Sequence, residues 1–161
     1  MNELIDFVEY DDELHLVWKK SKSKKIKVGS KCGCASKVTG YWQMMFNKKN
    51  YRVHIVVWYI HNGEIPNGME IDHIDHDRSN NSISNLRLVT RKENGRNQSI
   101  RIDNSTGVTG VSWHRPLSKY CARIKVDGKL MHLGYFNSIE EAKLCRMQFQ
   151  RKFKFHKNHG E

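Results

Sequence analysis

With 161 residues and 38% hydrophobic side chains, the chain is long enough for one ordinary domain or two small ones, and its core can only be thin. A formal charge of +11 points to a polyanionic partner. No apolar run approaches the roughly 20 residues of a membrane-spanning helix, and the acidic opening is unlike a signal peptide, so a cytoplasmic setting with no membrane partner is expected. Charge is also segregated. Residues 14–60 hold eleven Lys or Arg and no acid, whereas residues 1–13 hold six acids and no base, a pattern that favours a binding face over general solubility. Four cysteines fit a reducing compartment: Cys32 and Cys34 are too close for an easy bridge, and Cys121 and Cys145 read as buried thiols. A C-x-C pair followed by two distant singles is not zinc-ribbon spacing.

In chain order, Leu14, Leu16 and Trp18 alternate and predict a half-buried strand. A lysine-rich connector fills 19–31. Trp42, Met44 and Phe46 then share one face of a strand, 47–50 turns, and 51–53 returns as its hairpin partner. Val53, Val57 and Ile60 recur at helical spacing until Asn62-Gly63 ends the helix, with Pro66 just beyond. His54, at the start of that helix, reads as a packed or capping residue because no partner stands nearby in sequence. Residues 71–74 form a short strand after the turn Pro66-Asn67-Gly68, 75–81 a polar loop and 86–89 a second strand. Thr90 with Glu93 is a capping-box pattern that starts a helix at Arg91. Asn94 and Gln98 then share one face of it, and Gly95 weakens it by about 1 kcal/mol relative to Ala.

A second pattern begins at Gly107. Strands at 110–115, 120–126 and 130–136 are joined by turns at 116–119 and at Asp127-Gly128. Ser138 with Glu141 opens a helix to about residue 154, whose apolar stripe is Ala142, Cys145, Phe149 and Phe153. The fold class is therefore α+β: a β-rich unit and a strand-loop-strand-helix core in 1–100, a linker at 101–106, and a three-stranded antiparallel sheet backed by one helix in 107–161. Alternation turns Val111, Trp113, Ala122, Ile124, Met131 and Leu133 to the helix. Ser112, His114, Arg123, Lys125 and His132 are left on the open face. Its charged strand residues are all cationic, which suits duplex DNA, and a sheet of this width can enter a major groove.

The central stretch carries the chemistry. Hydrolysing a phosphodiester needs a base to activate water and a cation to stabilise charge on the phosphate and leaving oxygen. His73 titrates near working pH and can take the proton. Asp72 and the amide oxygen of Asn94 are hard ligands suited to magnesium or manganese, and Asn85 can fix the loop and the imidazole by hydrogen bonds. Asp and Asn also serve as turn and cap residues, the ordinary use of any one of them alone.

The pattern D-H-I-D-x-D-x-x-x-N-x-I-x-N-L-R-x-x-T-x-x-E-N-x-x-N over residues 72–97 resembles the HNH endonucleases of the phage and homing type, and YRVHIVVWYIHNGEIPNGMEI at 51–71 resembles their lead-in. The resemblance implies a ββα-metal core with His73 as general base, Asp72 and Asn94 as metal ligands and Asn85 as the central structural Asn. Residues 107–153, with GVTGVSWHR, YCARIKV and LGYFNSIEEA, are similar to the AP2 DNA-binding domain. Three departures stand out. Asn94 occupies a position that is His in many members, which favours a two-residue magnesium or manganese site and leaves the role of Gln98 open. His76 stands where Gly is common. Ser112, His114 and His132 replace arginines of plant AP2 domains, so base specificity does not transfer. The expectation is a metal-dependent endonuclease acting on double-stranded DNA, of homing type, phage-borne and working in a bacterial host's cytoplasm. Its oligomeric state is open, and a monomer would nick one strand. The rivals are a non-catalytic DNA-binding regulator and an RNA-directed nuclease.

Overall fold

The computed structural model describes every residue except Lys22, Gln98, Ser99, Arg101, Asn158 and Glu161. Two compact units, Met1–Arg91 and Lys92–Glu161, divide the chain.

In the first unit a four-residue helix α1 (Asn2–Ile5) leads into strand β1 (Val8–Asp11), antiparallel to β2 (His15–Trp18). The sequence reading lacks β1, because Glu9 and Asp11 hide the alternation of Val8 with Tyr10. A three-stranded antiparallel sheet follows, β3 (Cys34–Ala35), β4 (Trp42–Phe46) and β5 (Lys49–Arg52), in that order. Asn47 and Lys48 turn between β4 and β5 with φ of 47° and 61°, the two left-handed residues of a tight hairpin. The return strand consequently starts earlier than 51. Helix α2 (Val53–Asn62) ends at Gly63, whose φ of 78° is costly for a residue with a Cβ. Strands β6 (Met69–His73) and β7 (Leu86–Thr90) pair antiparallel, with Asp72 opposite Arg87 and His73 opposite Leu86. Leu16, Trp18, Met44, Phe46, Val53, Val56, Val57, Ile71 and Leu86 belong to one buried cluster. Burying each such side chain contributes about 1.5–3 kcal/mol. The β-rich segment and the β6–β7 pair therefore share a core.

The expected helix after β7 is short. Helix α3 (Arg91–Asn94) stops ahead of Gly95, where Arg96 N donates to Glu93 O and Asn97 N to Asn94 O. Asn94 is the last residue of α3, and the shared face expected for Asn94 and Gln98 falls partly on Gln98, which lies outside the described residues. The units part between Arg91 and Lys92, ahead of the linker expected at 101–106. Lys92 and Arg96 both reach Asp127, at 2.8 and 3.3 Å, and His156 N donates to Arg96 O, which ties 92–96 to the second unit.

That unit is the sheet β10-β9-β8, built from β8 (Val111–His114), β9 (Lys119–Val126) and β10 (Lys129–Phe136). Asp127 and Gly128 turn between β9 and β10 with positive φ. Helix α4 (Ile139–Lys152) opens with a full capping box: Ser138 Oγ accepts from Glu141 N, and Glu141 Oε2 accepts from Ser138 N. Val111, Ala122 and Ala142 form its buried cluster. Ile124 and Val126 are buried on the same face, while other positions of it stay open. Trp113 and Met131, expected under the helix, are 46% and 37% exposed. Trp113 instead meets Tyr120 edge-on at 4.9 Å. On α4 itself Ala142 is buried while Cys145, Phe149 and Phe153 are half-buried, and Arg146 is buried beside them. Among the described residues no helix is long and apolar enough to cross a membrane.

Candidate active site

Asp72 and His73 are the last two residues of β6, and consecutive strand residues face opposite sides. His73 packs edge-on against His54 of α2, ring centroids 4.8 Å apart, with the Tyr41 ring 5.1 Å from His54 and 5.9 Å from His73. His54 is thus a packed histidine as expected, but its neighbour is the candidate base. The Arg52 and Arg78 guanidiniums lie 4.7 and 4.8 Å from the Tyr41 ring, and Arg78 Nη1 donates to Thr39 O. Sequence spacing gives no sign of this cluster, since its members come from β5, α2, β6 and two loops.

Burial holds the His73 imidazole below its ordinary pKa of 6.5, against the opposing pull of Asn81, Asp75, Asp72 and Asp77. His54 is pushed further, to about 3, by burial and by the positive charges of His73 and Arg52. Both rings are neutral near pH 7. Asn81, 1% exposed, sets the proton on His73. Its Nδ2 donates to Ser79 O at 3.0 Å, so its Oδ1, 3.2 Å from His73 Nε2, must accept. The network assigns the ring proton to Nε2 and the lone pair to Nδ1.

Asn85 fixes the loop as expected, but its hydrogen bonds do not include the imidazole. Its Nδ2 donates to Asp75 Oδ1 and Asn80 O, and its Oδ1 accepts from Asp75 N. It fastens the two ends of the 75–85 loop, and the hydrogen bond to the imidazole comes from Asn81. Asp75 also accepts from Asn80 Nδ2 and Asp77 N. Burial pushes the Asp75 carboxyl up, but these donors outweigh it and hold the group below its usual range. Ser79, through its hydroxyl and its N–H, does the same for Asp77. His76 sits at φ 67°, a left-handed turn position where glycine carries no Cβ penalty.

Across the sheet Arg87 Nη2 and Nε donate to one oxygen of Asp72, at 2.7 and 3.0 Å. A divalent cation at Asp72 must share the carboxylate with Arg87 or displace it. Among the described residues no group of three or more His, Cys, Asp or Glu could hold a metal. Asp72 offers a carboxylate in the first unit; Asn94, the other expected donor, ends α3 in the second. Such sparse hard-oxygen donors fit magnesium or manganese, which keep waters and take substrate phosphate oxygens as ligands; they do not fit a structural zinc.

In the second unit the register places the five expected residues on one face. Ser112 lies opposite Cys121, His114 opposite Lys119, and Arg123 opposite His132. Ser112, Arg123, Lys125 and His132 are exposed and His114 is half-buried. A register shift between His132 and Gly134 brings Tyr135 onto this face, its ring 4.9 Å from His114 and 4.6 Å from His132. Strict alternation along β10 misses Tyr135 because it has no account of the bulge.

Residues 51–96, which run from β5 through α2, β6 and β7 to just past α3, match the family model described as HNH endonuclease. Over that segment the chain is similar to the HNH endonucleases. It is 40% identical over 78 residues to protein 3.8 of Escherichia phage T7, spanning 48% of this chain and 64% of that one. An HNH endonuclease of Acanthamoeba polyphaga mimivirus is 46% identical over 50 residues, 31% of this chain and 26% of the relative. YosQ, an SPbeta prophage-derived protein of Bacillus subtilis (strain 168) named for the HNH homing endonucleases, is 42% identical over 55 residues, 34% and 32% of the two chains. Each match spans less than two thirds of the relative's own length. No solved structure matches the chain.

Proposed function

We propose that the chain is a metal-dependent endonuclease that hydrolyses phosphodiester bonds in duplex DNA, with His73 as general base. The observation that carries this reading is the pairing of a neutral, Asn81-oriented imidazole with an adjoining carboxylate inside the segment that matches the HNH endonuclease model. His73 Nδ1 takes the proton from water, and Asn81 holds the ring in that tautomer. Asp72 and Asn94 would hold magnesium or manganese, which when bound stabilises charge on the phosphate and the leaving oxygen. Asn85 keeps the 75–85 loop closed so that Asn81 stays in place. Arg52 and Arg78, both exposed beside Tyr41, offer charge to the DNA backbone next to His73.

The second unit acts as an AP2-like DNA-binding module. Arg123 and Lys125 supply cationic contacts, Ser112, His114 and His132 supply polar ones, and Tyr135 adds an aromatic surface between the two histidines. Its phosphate contacts, with those of the lysines in 19–31, make binding salt-dependent. The homing-type name of the Bacillus subtilis relative and the phage origin of the first relative support a role in a mobile element within a bacterial host.

The test is incubation of supercoiled plasmid with the protein and magnesium or manganese, with and without chelator. Relaxed or linear product that disappears with chelator supports the reading. Tight duplex binding without cleavage under either metal would favour a non-catalytic regulator.

A further inference from the structure

The second unit holds a cavity of about 250 Å³ lined by the 107–109 loop, α4 and Lys157, His159 and Gly160. Its lining includes none of the residues assigned to cleavage or to the sheet's open face. Its floor includes Arg146, which is 3% exposed. The guanidinium Nε and Nη1 make no hydrogen bond, and Nη2 has only the ring nitrogen of His159 at 3.5 Å. Among the described residues no carboxylate meets it; the Phe155 ring lies 5.5 Å away. Thr109 Oγ1, also lining the cavity, is buried without a partner. Lys143 and Lys157 complete the lining, and no Asp or Glu is among the described lining residues.

Two glycines permit this arrangement. A Cβ at Gly110 would stand 2.6 Å from Arg146 Nε, and one at Gly160 would stand 2.7 Å from Thr109 Oγ1. The chain has been threaded close around a buried cation and a buried hydroxyl, donors that a folded protein rarely leaves unmatched. A charged group out of water and without a counter-charge is strongly unfavourable. Burial has already drawn the Arg146 guanidinium down to about 10, and an oxyanion in the cavity would relieve that. Organic-ligand pockets run roughly 300–1,000 Å³, so this volume suits a small ion or a terminal group.

We propose that this cavity is a binding site for a phosphate-type oxyanion, held by Arg146 and Thr109 from below and by Lys143 and Lys157 at the mouth. The ion is either free phosphate (inorganic or a phosphomonoester) or a phosphate of a DNA strand, and the same donors serve both. The site is separate from cleavage and stands whether or not the first unit cuts DNA.

The full chain is titrated with inorganic phosphate, against chloride at matched ionic strength, while the Nε–H resonance of Arg146 is followed by nitrogen-15 NMR. A saturable shift with phosphate and none with chloride is expected. Lys143 and Lys157 are exposed, so a K143Q/K157Q variant keeps the fold and should weaken the apparent affinity at least about tenfold, since two of three lining cations are gone. Duplex DNA added to the wild type moves the same resonance if a strand phosphate is the occupant, and leaves it in place if free phosphate is. No saturable phosphate shift in the wild type, or an affinity unchanged in the double variant, overturns the proposal.

Discussion

The two units handle polar side chains in opposite ways. In the first, the 73–85 loop is closed on itself: Asn85, Asn81, Asn80, Asp75 and Ser79 donate and accept among themselves beneath a shared core. In the second, the sheet face is open and cationic, and an arginine is buried with no carboxylate beside it among the described residues. The difference separates two requirements. Chemistry at a phosphodiester needs donors fixed before substrate arrives, whereas backbone binding needs charge left free to meet the polyanion.

The sharpest way to break the comparison is to loosen the fixed loop. Asn85→Ala removes three hydrogen bonds, two to Asp75 and one to Asn80 O, and should destabilise the first unit by about 3 kcal/mol at roughly 1 kcal/mol each. Urea unfolding checks it; a loss below about 1 kcal/mol would mean the loop is held by other contacts. Asn81→Ala should lower cleavage through the His73 tautomer while duplex affinity stays level, measured as a drop in kcat with KM unchanged.

Acid should open the first unit. The folded pKa of His54 is about 3 and that of His73 is also lowered, so the unfolded chain binds more protons between about pH 6.5 and 3. Stability is present above pH 6.5 and falls as the pH drops through that window, by up to about 1.4 kcal/mol per unit for each such histidine. Urea unfolding at pH 7 and pH 5 measures it, and a flat response would mean the rings are not held neutral. The second unit answers to salt instead. Arg123→Ala with Lys125→Ala should reduce the slope of log affinity against log salt by about 2, near 0.9 for each phosphate no longer neutralised; an unchanged slope removes the sheet from the interface. The smallest effect is at the turn. His76→Gly relieves a left-handed φ and should stabilise by up to about 1 kcal/mol, seen as a raised Tm.

Much of this was legible in the sequence where periodicity and caps agree. Helix α2 runs from Val53 to the Asn62-Gly63 stop, and the Ser138–Glu141 capping box opens α4. Strand β1 was hidden because acids occupy its exposed positions, and α3 ended early because Gly95 follows four residues with little packing to extend them. Asp72, His73 and Asn85 could be singled out because they stand at fixed spacing in one stretch. Asn81, His54, Tyr41, Arg52 and Arg78 could not, because only the folded chain brings them to the imidazole. Arg146 was passed over for a related reason: a charged residue inside an apolar helix stripe reads as exposed until burial shows otherwise.

The most direct test of the central claim compares wild type with His73→Ala on supercoiled plasmid in magnesium, with duplex affinity measured in parallel. Loss of the general base should slow cleavage by about 10²–10⁴-fold and leave affinity within a factor of about two, since the neutral imidazole adds no charge to the interface. A His73→Ala protein that cuts at the wild-type rate would contradict the account.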